Sequence, residues 1–235
     1  MKKPNLFFFL LVIFLIQSCI LLTTKKTRKS WVTKIPKSQK SLDIPKYEDN
    51  TPYVYWHWSK QKESQLNLIS PENSSDSLVF RMWVASQETT NGQNHGLVEI
   101  VRSDSSWIGR VTHMKVNFKA YKYVETIIRE KSTLLNPIHG WDNLIDSLNY
   151  YQFSKLVSDK RSSESSQSEQ GYRTNSPTYS FEYSNESEYR FYQLNYSNII
   201  NNLIYKNYSN GDKIINLLDK EFKTDSLARL FFYKN

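Results

Sequence analysis

Cysteine, glycine and proline are scarce in this chain, and each shortage excludes a class of protein. One cysteine among 235 residues excludes an internal disulfide framework and a zinc site built from several thiolates. Six glycines and seven prolines exclude collagen-like and glycine-rich repeat proteins. The folded part must therefore be held together by its packing and its polar contacts.

Apolar and basic residues are well represented. Hydrophobic residues make up 39% of the chain and aromatic residues 14%, which is enough to build a core. The net charge is +8, but residues 23–50 alone contain eight basic and three acidic residues. Apart from these residues and the two N-terminal lysines the chain is nearly neutral, which excludes the basic footprint of a nucleic-acid-binding domain. We therefore expect no nucleic-acid partner.

The N-terminus has the pattern of an export signal. A short basic start precedes an uninterrupted apolar run over residues 6–16, which is too short to cross a bilayer as a helix. The run ends at Ile16, and Ser18 and Cys19 follow. An aliphatic residue three positions before a cysteine and a small residue directly before it resemble the lipobox of bacterial lipoproteins. Gln17 is a less usual choice between them.

This resemblance implies processing and a location. In such lipoproteins the signal peptide, here residues 1–18, is removed, and the cysteine, here Cys19, receives a diacylglyceryl thioether and usually an amide-linked acyl chain such as palmitate. Two or more acyl chains anchor a protein stably, whereas one holds it only marginally. We therefore expect a lipid-anchored protein on the outer side of the inner membrane or on the outer membrane, facing the periplasm or the cell surface.

An uncleaved signal anchor is the alternative. Residues 20–22 continue the apolar run, and a helix over residues 6–22 is at the lower limit of a membrane-spanning length. Basic residues follow it, so the positive-inside rule would then place the body of the protein in the cytoplasm. Both interpretations attach the protein to a membrane.

Residues 19–52 are predicted to form a basic tether. Pro36 and Pro45 interrupt any helix, and no apolar period runs through the segment. The lysines of the tether have two interpretations. They hold it near anionic lipid headgroups, or they are the charges of a solvated spacer.

Residues 53–235 are predicted to form one α+β domain. The aromatic segment 53–58 and the alternating segment 78–84 favour β-strands, and a turn is predicted over residues 91–96 before the next strand. A long alternating run over residues 107–121 continues this meander.

The second half of the domain adds helices and a hairpin. Apolar residues at helical spacing predict amphipathic helices over residues 141–151 and 211–222. Between them, residues 158–178 contain seven serines and no aliphatic residue, which is typical of a flexible insertion. A hairpin follows over residues 179–193. We therefore predict an antiparallel sheet, made of a meander plus the later hairpin, that two amphipathic helices cover on one face.

The register of the hairpin is predicted from its side chains. A three-residue loop pairs Phe181 with Phe191 and Glu182 with Arg190, whereas a two-residue loop at residues 185–186 pairs Phe181 with Arg190. The first register places aromatic residues opposite each other and opposite charges opposite each other. It predicts that the two phenylalanines are core neighbours and that Glu182 and Arg190 form a solvated ion pair.

The body also resembles a known group of proteins. The resemblance rests on Arg-Met-Trp at residues 81–83, Pro-Ile-His-Gly-Trp-Asp at residues 137–142, Tyr-Arg-Phe-Tyr at residues 189–192 and the terminal helix. Over residues 78–222 the chain is similar to a family of uncharacterised lipoproteins from Bacteroidota-type bacteria. That family has no established activity, so the resemblance supports lipidation and implies nothing about chemistry.

No residue pattern predicts a catalytic, metal or cofactor site. None of the four histidines is three or four positions from another, so a helical metal-ligand pair is absent from the sequence. Asp142 and Asp146 are predicted on the solvated face of a helix, and alternation directs Glu99 toward water, away from Val98 and Ile100. The sequence has no Gly-x-Ser-x-Gly motif and no glycine-rich phosphate loop.

Two functions fit these observations. The first is a non-enzymatic, membrane-anchored envelope lipoprotein that binds a protein or glycan partner at the membrane surface. The alternative is a hydrolase of envelope polymers, with a site assembled from dispersed carboxylates. A buried pair of acids in a cleft favours the hydrolase, whereas a convex sheet with exposed aromatic residues favours the binding protein.

Overall fold

The computed structural model describes residues 39–46, 51–89, 92–119, 124–158, 177–195 and 206–222. The predicted signal peptide, Cys19, most of the predicted tether and most of the serine-rich insertion at residues 158–178 lie outside the described residues.

The described residues form a seven-stranded mixed sheet with three helices. Strands β1 to β7 are Ser41–Asp43, Leu78–Thr89, Gly92–Ser103, Ser106–Lys119, Val124–Leu135, Thr178–Asn185 and Glu188–Asn195. Helices α1 to α3 are Thr51–Gln65, Trp141–Tyr150 and Lys206–Phe222. The order across the sheet is β1-β7-β6-β2-β3-β4-β5, and β1 is parallel to β7 while the other neighbours are antiparallel. The predicted α+β class is confirmed.

Strands β2 to β5 form the predicted meander. Ser103 pairs with Ser106, so the β3–β4 hairpin turns over two residues, the first of which, Asp104, has a positive φ of 51°. Strand β3 begins at Gly92, so the predicted turn over residues 91–96 is wrong for most of its length, and His95 lies in a strand. Strand β5 was not predicted.

Helices α2 and α3 cover one face of the sheet, as predicted. Leu144 and Leu148 of α2 and Ile214 and Leu218 of α3 are buried against apolar side chains of β2, β3, β6 and β7. We call this side of the sheet the helical face. It contains the largest apolar core cluster of the described residues.

Helix α1 covers the opposite face, which we call the α1 face. Segment 53–58 lies in this helix, so its predicted strand is wrong. Pro52 fits the first turn of a helix, where its missing N–H costs nothing. The helix ends in a Schellman motif: Asn67 has a φ of 53°, and the Leu68 N–H donates to the Glu63 carbonyl at 3.0 Å.

Strand β1 lies within the segment that we interpret as a tether. It pairs with the first residues of β7, and the Ser41 N–H donates to the Ser187 carbonyl at 2.8 Å. Arg190 also donates to Asp43 at 2.9 Å. The sheet therefore includes residues of segment 19–52.

The predicted register of the hairpin is wrong. Phe181 pairs with Tyr192 and Glu182 with Phe191, so the loop is the dipeptide at residues 186–187. The Asn185 side chain explains this turn, because its Oδ1 accepts hydrogen bonds from the N–H groups of Ser187 at 2.9 Å and of Glu188 at 2.8 Å. Phe181 consequently faces the helical face, whereas Phe191 and Glu182 face α1.

Candidate functional site

A buried charge cluster lies between α1 and the sheet. It consists of charged residues that are almost inaccessible to solvent. Its members are Lys60, Glu63, Glu72, Arg81, Glu99 and Glu182. Ion pairs at this depth are strong only when each charge has several partners, because removal from water costs several kcal/mol per ion.

Lys60 is the centre of this cluster. Its ammonium lies 3.0 Å from Glu63, 2.8 Å from Glu72 and 2.7 Å from Glu182. The three carboxylates offer oxygens within 4.8 Å of one another, a spacing that suits a metal ion. The lysine ammonium is the cation that these oxygens coordinate, and it also lies 4.8 Å from the centre of the Tyr189 ring.

Arg81 joins one further carboxylate, that of Glu99, to the cluster and shares Glu63 with Lys60. Its Nε donates to Glu99 at 2.8 Å, one terminal nitrogen donates to Glu63 at 2.8 Å, and the other donates to the Ile69 carbonyl at 2.9 Å. Arg110, which is partly exposed, lies 3.7 Å from the second oxygen of Glu99. The planar guanidinium thus links α1, the loop after it and two strands.

Glu182 is saturated with donors. One oxygen accepts from Lys60 and from the Tyr189 hydroxyl, both at 2.7 Å, and the other accepts from the indole N–H of Trp83, also at 2.7 Å. The side chain is 0% exposed. Glu182 is therefore a buried acceptor, and the prediction that it forms a solvated pair with Arg190 is wrong.

The pKa values of two members of the cluster are pushed apart. Burial, and next the Glu182 carboxylate, raise the pKa of Glu63 to about 8, although Lys60 and Arg81 lower it. Burial would also raise the pKa of Glu182, but the Lys60 and Arg81 cations and hydrogen bonds from Lys60 and Trp83 lower it to about 2. At neutral pH these shifts favour the proton on Glu63 and the negative charge on Glu182.

This proton balances the cluster. Four carboxylates face two buried cations, and protonation of Glu63 removes one negative charge. Arg110, close to Glu99, compensates a second. The formal charge of the group is then close to zero, which is what its burial requires.

A second polar group connects α1 to the start of β5. Lys62 donates to Glu125 at 2.8 Å and approaches Nδ1 of His95 at 3.1 Å. Burial, and then Lys62, lower the pKa of His95 well below its ordinary value. A neutral ring that accepts at Nδ1 carries its proton on Nε2, which is placed 2.9 Å from the Gln93 side-chain oxygen.

A histidine–glutamate pair joins the start of α2 to the end of α3. His139 Nδ1 lies 2.7 Å from Glu221, and the His139 backbone N–H donates to the other oxygen of Glu221 at 3.0 Å. The Ile138 N–H donates to the Glu221 carbonyl at 3.0 Å. Residues 137–142 are therefore attached to the last turn of α3, and half of the imidazole ring remains exposed.

The remaining acids that sequence reasoning singled out are not brought together. Asp142 and Asp146 are exposed on α2, as predicted. Glu99 does point away from Val98 and Ile100, but α1 covers that side, so the prediction that it faces water is wrong. Sequence reasoning missed the cluster because its members come from five elements, namely α1, the loop after it, β2, β3 and β6. Buried charges at helical positions of α1 resemble solvated ones in sequence.

The far end of the sheet, at β4 and β5, is open. Residues 128–134 of β5 are all exposed, including Ile128 at 56% and Leu134 at 68%. Strand β5 is also the last strand of the sheet, so its outer edge has no neighbouring strand among the described residues. This end is the most accessible regular part of the described structure.

Comparisons with known proteins identify no relative. No protein-family model matches the chain, and neither curated proteins nor solved structures include a significant match. Among the described residues, none of the helices has both the length and the apolar composition required to cross a membrane.

Proposed function

We propose that this protein is a membrane-anchored envelope lipoprotein, attached through Cys19, that binds a protein or glycan partner at the membrane surface without catalysing a reaction. The observation that carries the proposal is the open end of β5, which is exposed on both faces and has no neighbouring strand on its outer edge among the described residues. Exposed edge strands are sites to which extended partner segments add.

Anchoring is supported by the N-terminal pattern and by chain length. The single cysteine follows a short apolar run and a small residue, as in bacterial lipoproteins. About 20 residues separate it from β1, and fully extended they span at most roughly 75 Å. An anchor at Cys19 would therefore keep the sheet near the membrane surface.

A non-enzymatic role is supported by the closure of the buried charge cluster. Glu182 is 0% exposed, and donors from Lys60, Trp83 and Tyr189 occupy both of its oxygens. A catalytic carboxylate has to reach the proton or atom on which it acts. The covering of α1 keeps substrate-sized groups away from this one.

One observation favours the alternative function, an envelope-polymer hydrolase. Glu63 and Glu182 have pKa values of about 8 and about 2, and such separated values are typical of an acid–base pair. The test compares wild type with Glu63→Gln for the release of soluble fragments from purified envelope polymers. Release that the substitution abolishes would replace the binding proposal.

The binding proposal is tested with the tagged full chain in a lipoprotein-exporting bacterium. Wild type is expected to incorporate labelled palmitate and to sediment with membranes, whereas Cys19→Ser stays an unlabelled precursor. After chemical cross-linking in cells, capture should enrich a specific envelope partner relative to an unrelated lipoprotein with the same tag. Undiminished labelling of Cys19→Ser contradicts the anchor, and equal recovery from both baits contradicts the binding function.

A further inference from the structure

Strand β5 has a closed half and an open half. In the first half, the backbone N–H groups of Glu125 and Ile127 donate to the side chains of Gln61 at 2.9 Å and Gln65 at 2.8 Å. The Gln65 side chain also donates to the Glu125 carbonyl at 2.9 Å. These two glutamines of α1 occupy the positions of a neighbouring strand, so no further strand can pair there.

The open half begins where α1 ends. The Ile127 N–H points outward, and the register against β4 shifts between Ile127 and Arg129, which inserts one extra residue into β5. The outward alternation therefore continues with the N–H and C=O groups of Glu130, Ser132 and Leu134. Nothing in the described part of the chain pairs with this edge beyond Ile127. Residues 128–134, which we call the open segment, therefore present a row of backbone donors and acceptors to solvent.

Cations lie opposite each other beside this edge. On the helical face Lys115 is directly opposite Arg129, and Lys131 is directly opposite His113, a neutral ring whose pKa is lowered by burial and then by the Lys131 charge. Like charges in directly opposed positions destabilise a sheet. Within the described ranges no carboxylate forms an ion pair with these lysines or this arginine. These cations therefore have no acidic partner among the described residues that would stabilise them.

The charges of the open segment alternate between the two faces. Arg129 and Lys131 point to the helical face, whereas Glu130, opposite Met114, points to the α1 face. A strand added to the edge would place its own side chains directly opposite these three. The pattern that complements them is acidic, basic, acidic, and it reads the same in both strand directions.

A second copy of this chain does not supply that pattern. A two-fold axis that continues the sheet places one residue of the open segment opposite itself. With the axis at Glu130, two glutamates meet and Arg129 faces Lys131. With the axis at Arg129 or Lys131, two identical cations meet. An axis at Ser132 leaves every charge opposite an uncharged residue. Self-pairing of β5 is therefore disfavoured.

We propose that the open segment of β5 is the docking site for an extended segment of a protein partner, which adds to the sheet edge as a strand and places acidic side chains opposite Arg129 and Lys131 and a basic one opposite Glu130. This inference rests on the proposed binding function and specifies its surface and the chemistry of its partner. Backbone hydrogen bonds at the edge supply affinity, and the charge pattern supplies specificity.

The test uses a fluorescent, end-capped peptide with the sequence Val-Thr-Thr-Glu-Lys-Glu-Val and the full chain in detergent. The matched control peptide, Val-Thr-Thr-Lys-Glu-Lys-Val, has the same apolar and threonine residues with the charge pattern inverted. Anisotropy titrations are expected to show at least tenfold tighter binding of the first peptide. Amide hydrogen exchange at Glu130, Ser132 and Leu134 should slow when that peptide binds.

A charge-reversed protein completes the test. The double variant R129E/K131E is expected not to bind the first peptide and to bind the control peptide more tightly. The variant K206E/K220E, whose lysines are exposed on α3, changes the net charge equally and should bind like wild type. The docking site is wrong if both peptides bind wild type equally or if the first peptide does not bind. It is also wrong if the two variants lose affinity for the first peptide equally.

Capture from cells separates this inference from the binding function. If R129E/K131E recovers the cross-linked envelope partner as well as wild type does, the docking site is wrong while the binding function stands. If wild type recovers no partner, the binding function itself fails. Loss of the partner from R129E/K131E alone supports both.

Discussion

Glu182 is opposite Phe191 on one side of the sheet, and its neighbour Phe181 is opposite Tyr192 on the other. The Phe181 and Tyr192 rings are stacked with centroids 5.1 Å apart in the large core, while Glu182 accepts three hydrogen bonds under α1. A difference of one residue in the hairpin loop separates this arrangement from the predicted one. At the scale of single residues, the register decides which carboxylate is buried.

Removal of Glu182 should strongly destabilise the protein. Glu182→Ala leaves Lys60, Trp83 and Tyr189 without a buried acceptor, and breaking a buried ion pair costs roughly 3 to 5 kcal/mol. The measurement is the free energy of unfolding in urea. Glu186→Ala, in the exposed hairpin loop, is the control, and we expect it to change that free energy by less than about 0.5 kcal/mol. Equal effects of the two substitutions would show that the cluster contributes little.

The raised pKa of Glu63 makes its contribution to stability depend on pH. Its pKa is about 8 in the folded protein and 4.5 without the fold, so the folded state keeps a proton that the unfolded state loses. This contribution is full below pH 4.5 and is lost as the pH rises through 8. Glu63→Gln mimics the protonated acid, so wild type should lose stability relative to this variant by up to about 1.4 kcal/mol per pH unit between 5 and 8.

The Glu63→Gln comparison also controls for the other titrating groups. His95 acts in the opposite direction, because burial and then Lys62 lower its pKa, and its contribution is lost as the pH falls below 6.5. Since wild type and variant both contain His95, its effect cancels in their difference. A difference in unfolding free energy that is constant from pH 5 to 8 would contradict the buried proton on Glu63.

At the scale of elements, α1 is the helix that sequence reasoning missed. Its residues have no apolar stripe of helical period, because the side that packs on the sheet contains lysine and glutamate as well as tryptophan and tyrosine. Its first turns are aromatic, which favours a strand. Other segments of the chain form the sheet that buries the ion pairs of α1. This tertiary packing overrides both local signals.

The glutamine contact between α1 and β5 can be tested alone. Gln65 is exposed, so Gln65→Ala should change the unfolding free energy little, but it removes the acceptor of the Ile127 N–H. We expect hydrogen exchange of the Ile127 amide to accelerate about tenfold, as the loss of a hydrogen bond worth about 1.4 kcal/mol implies. Ser64→Ala, at the neighbouring exposed position, should leave that amide unchanged. Equal exchange rates of the Ile127 amide in both variants would show that the Gln65 side chain does not protect it.

The junction of β4, β5, α2 and α3 requires glycine at residue 109. A Cβ there would lie 2.5 Å from the Leu135 carbonyl oxygen and 2.8 Å from the Trp141 ring. Gly109→Ala should therefore reduce the unfolding free energy by roughly 1 to 3 kcal/mol, because a backbone carbonyl cannot move away cheaply. Ser105→Ala, in the exposed β3–β4 turn, is the control. An unchanged urea midpoint for Gly109→Ala would show that the junction is packed less tightly than these distances indicate.

At the scale of the whole molecule, the middle of the sheet and its two edges have different surroundings. Its middle is covered on both faces, by α2 and α3 on one and by α1 on the other. Its β1 edge connects to the predicted tether, and its β5 edge is open. The described residues of the predicted tether and the proposed partner site therefore lie at opposite edges of one sheet.

The serine-rich segment predicts an outcome for the entire chain. Its composition cannot bury apolar surface, so it should be the first site that protease cuts in the native protein. Deletion of residues 160–175 should shift Tm by no more than about 3 °C, because loop closure entropy changes slowly with length. A glycine–serine replacement of equal length is the control. A large fall in Tm for both variants would show that the segment is packed.

Local patterns in the sequence were sufficient for part of this structure. The amphipathic period of residues 141–151, the alternation of residues 78–84 and the hairpin near residue 185 each depend on neighbours within a few positions. These elements, the two helices on one face and the α+β class were therefore predictable. The lipobox-like pattern around Cys19 is equally local, and the anchoring prediction depends mainly on it.

Only the tertiary structure decided the candidate site and the accessible surface. Lys60, Arg81 and Glu182 belong to segments that are distant in sequence, and sequence alone cannot distinguish a charge that a remote segment buries from one in water. The same holds for β5, whose edge is open because no other strand of the described structure lies beside it. Burial and exposure are properties of packed elements, and local sequence encodes the elements more directly than their neighbours.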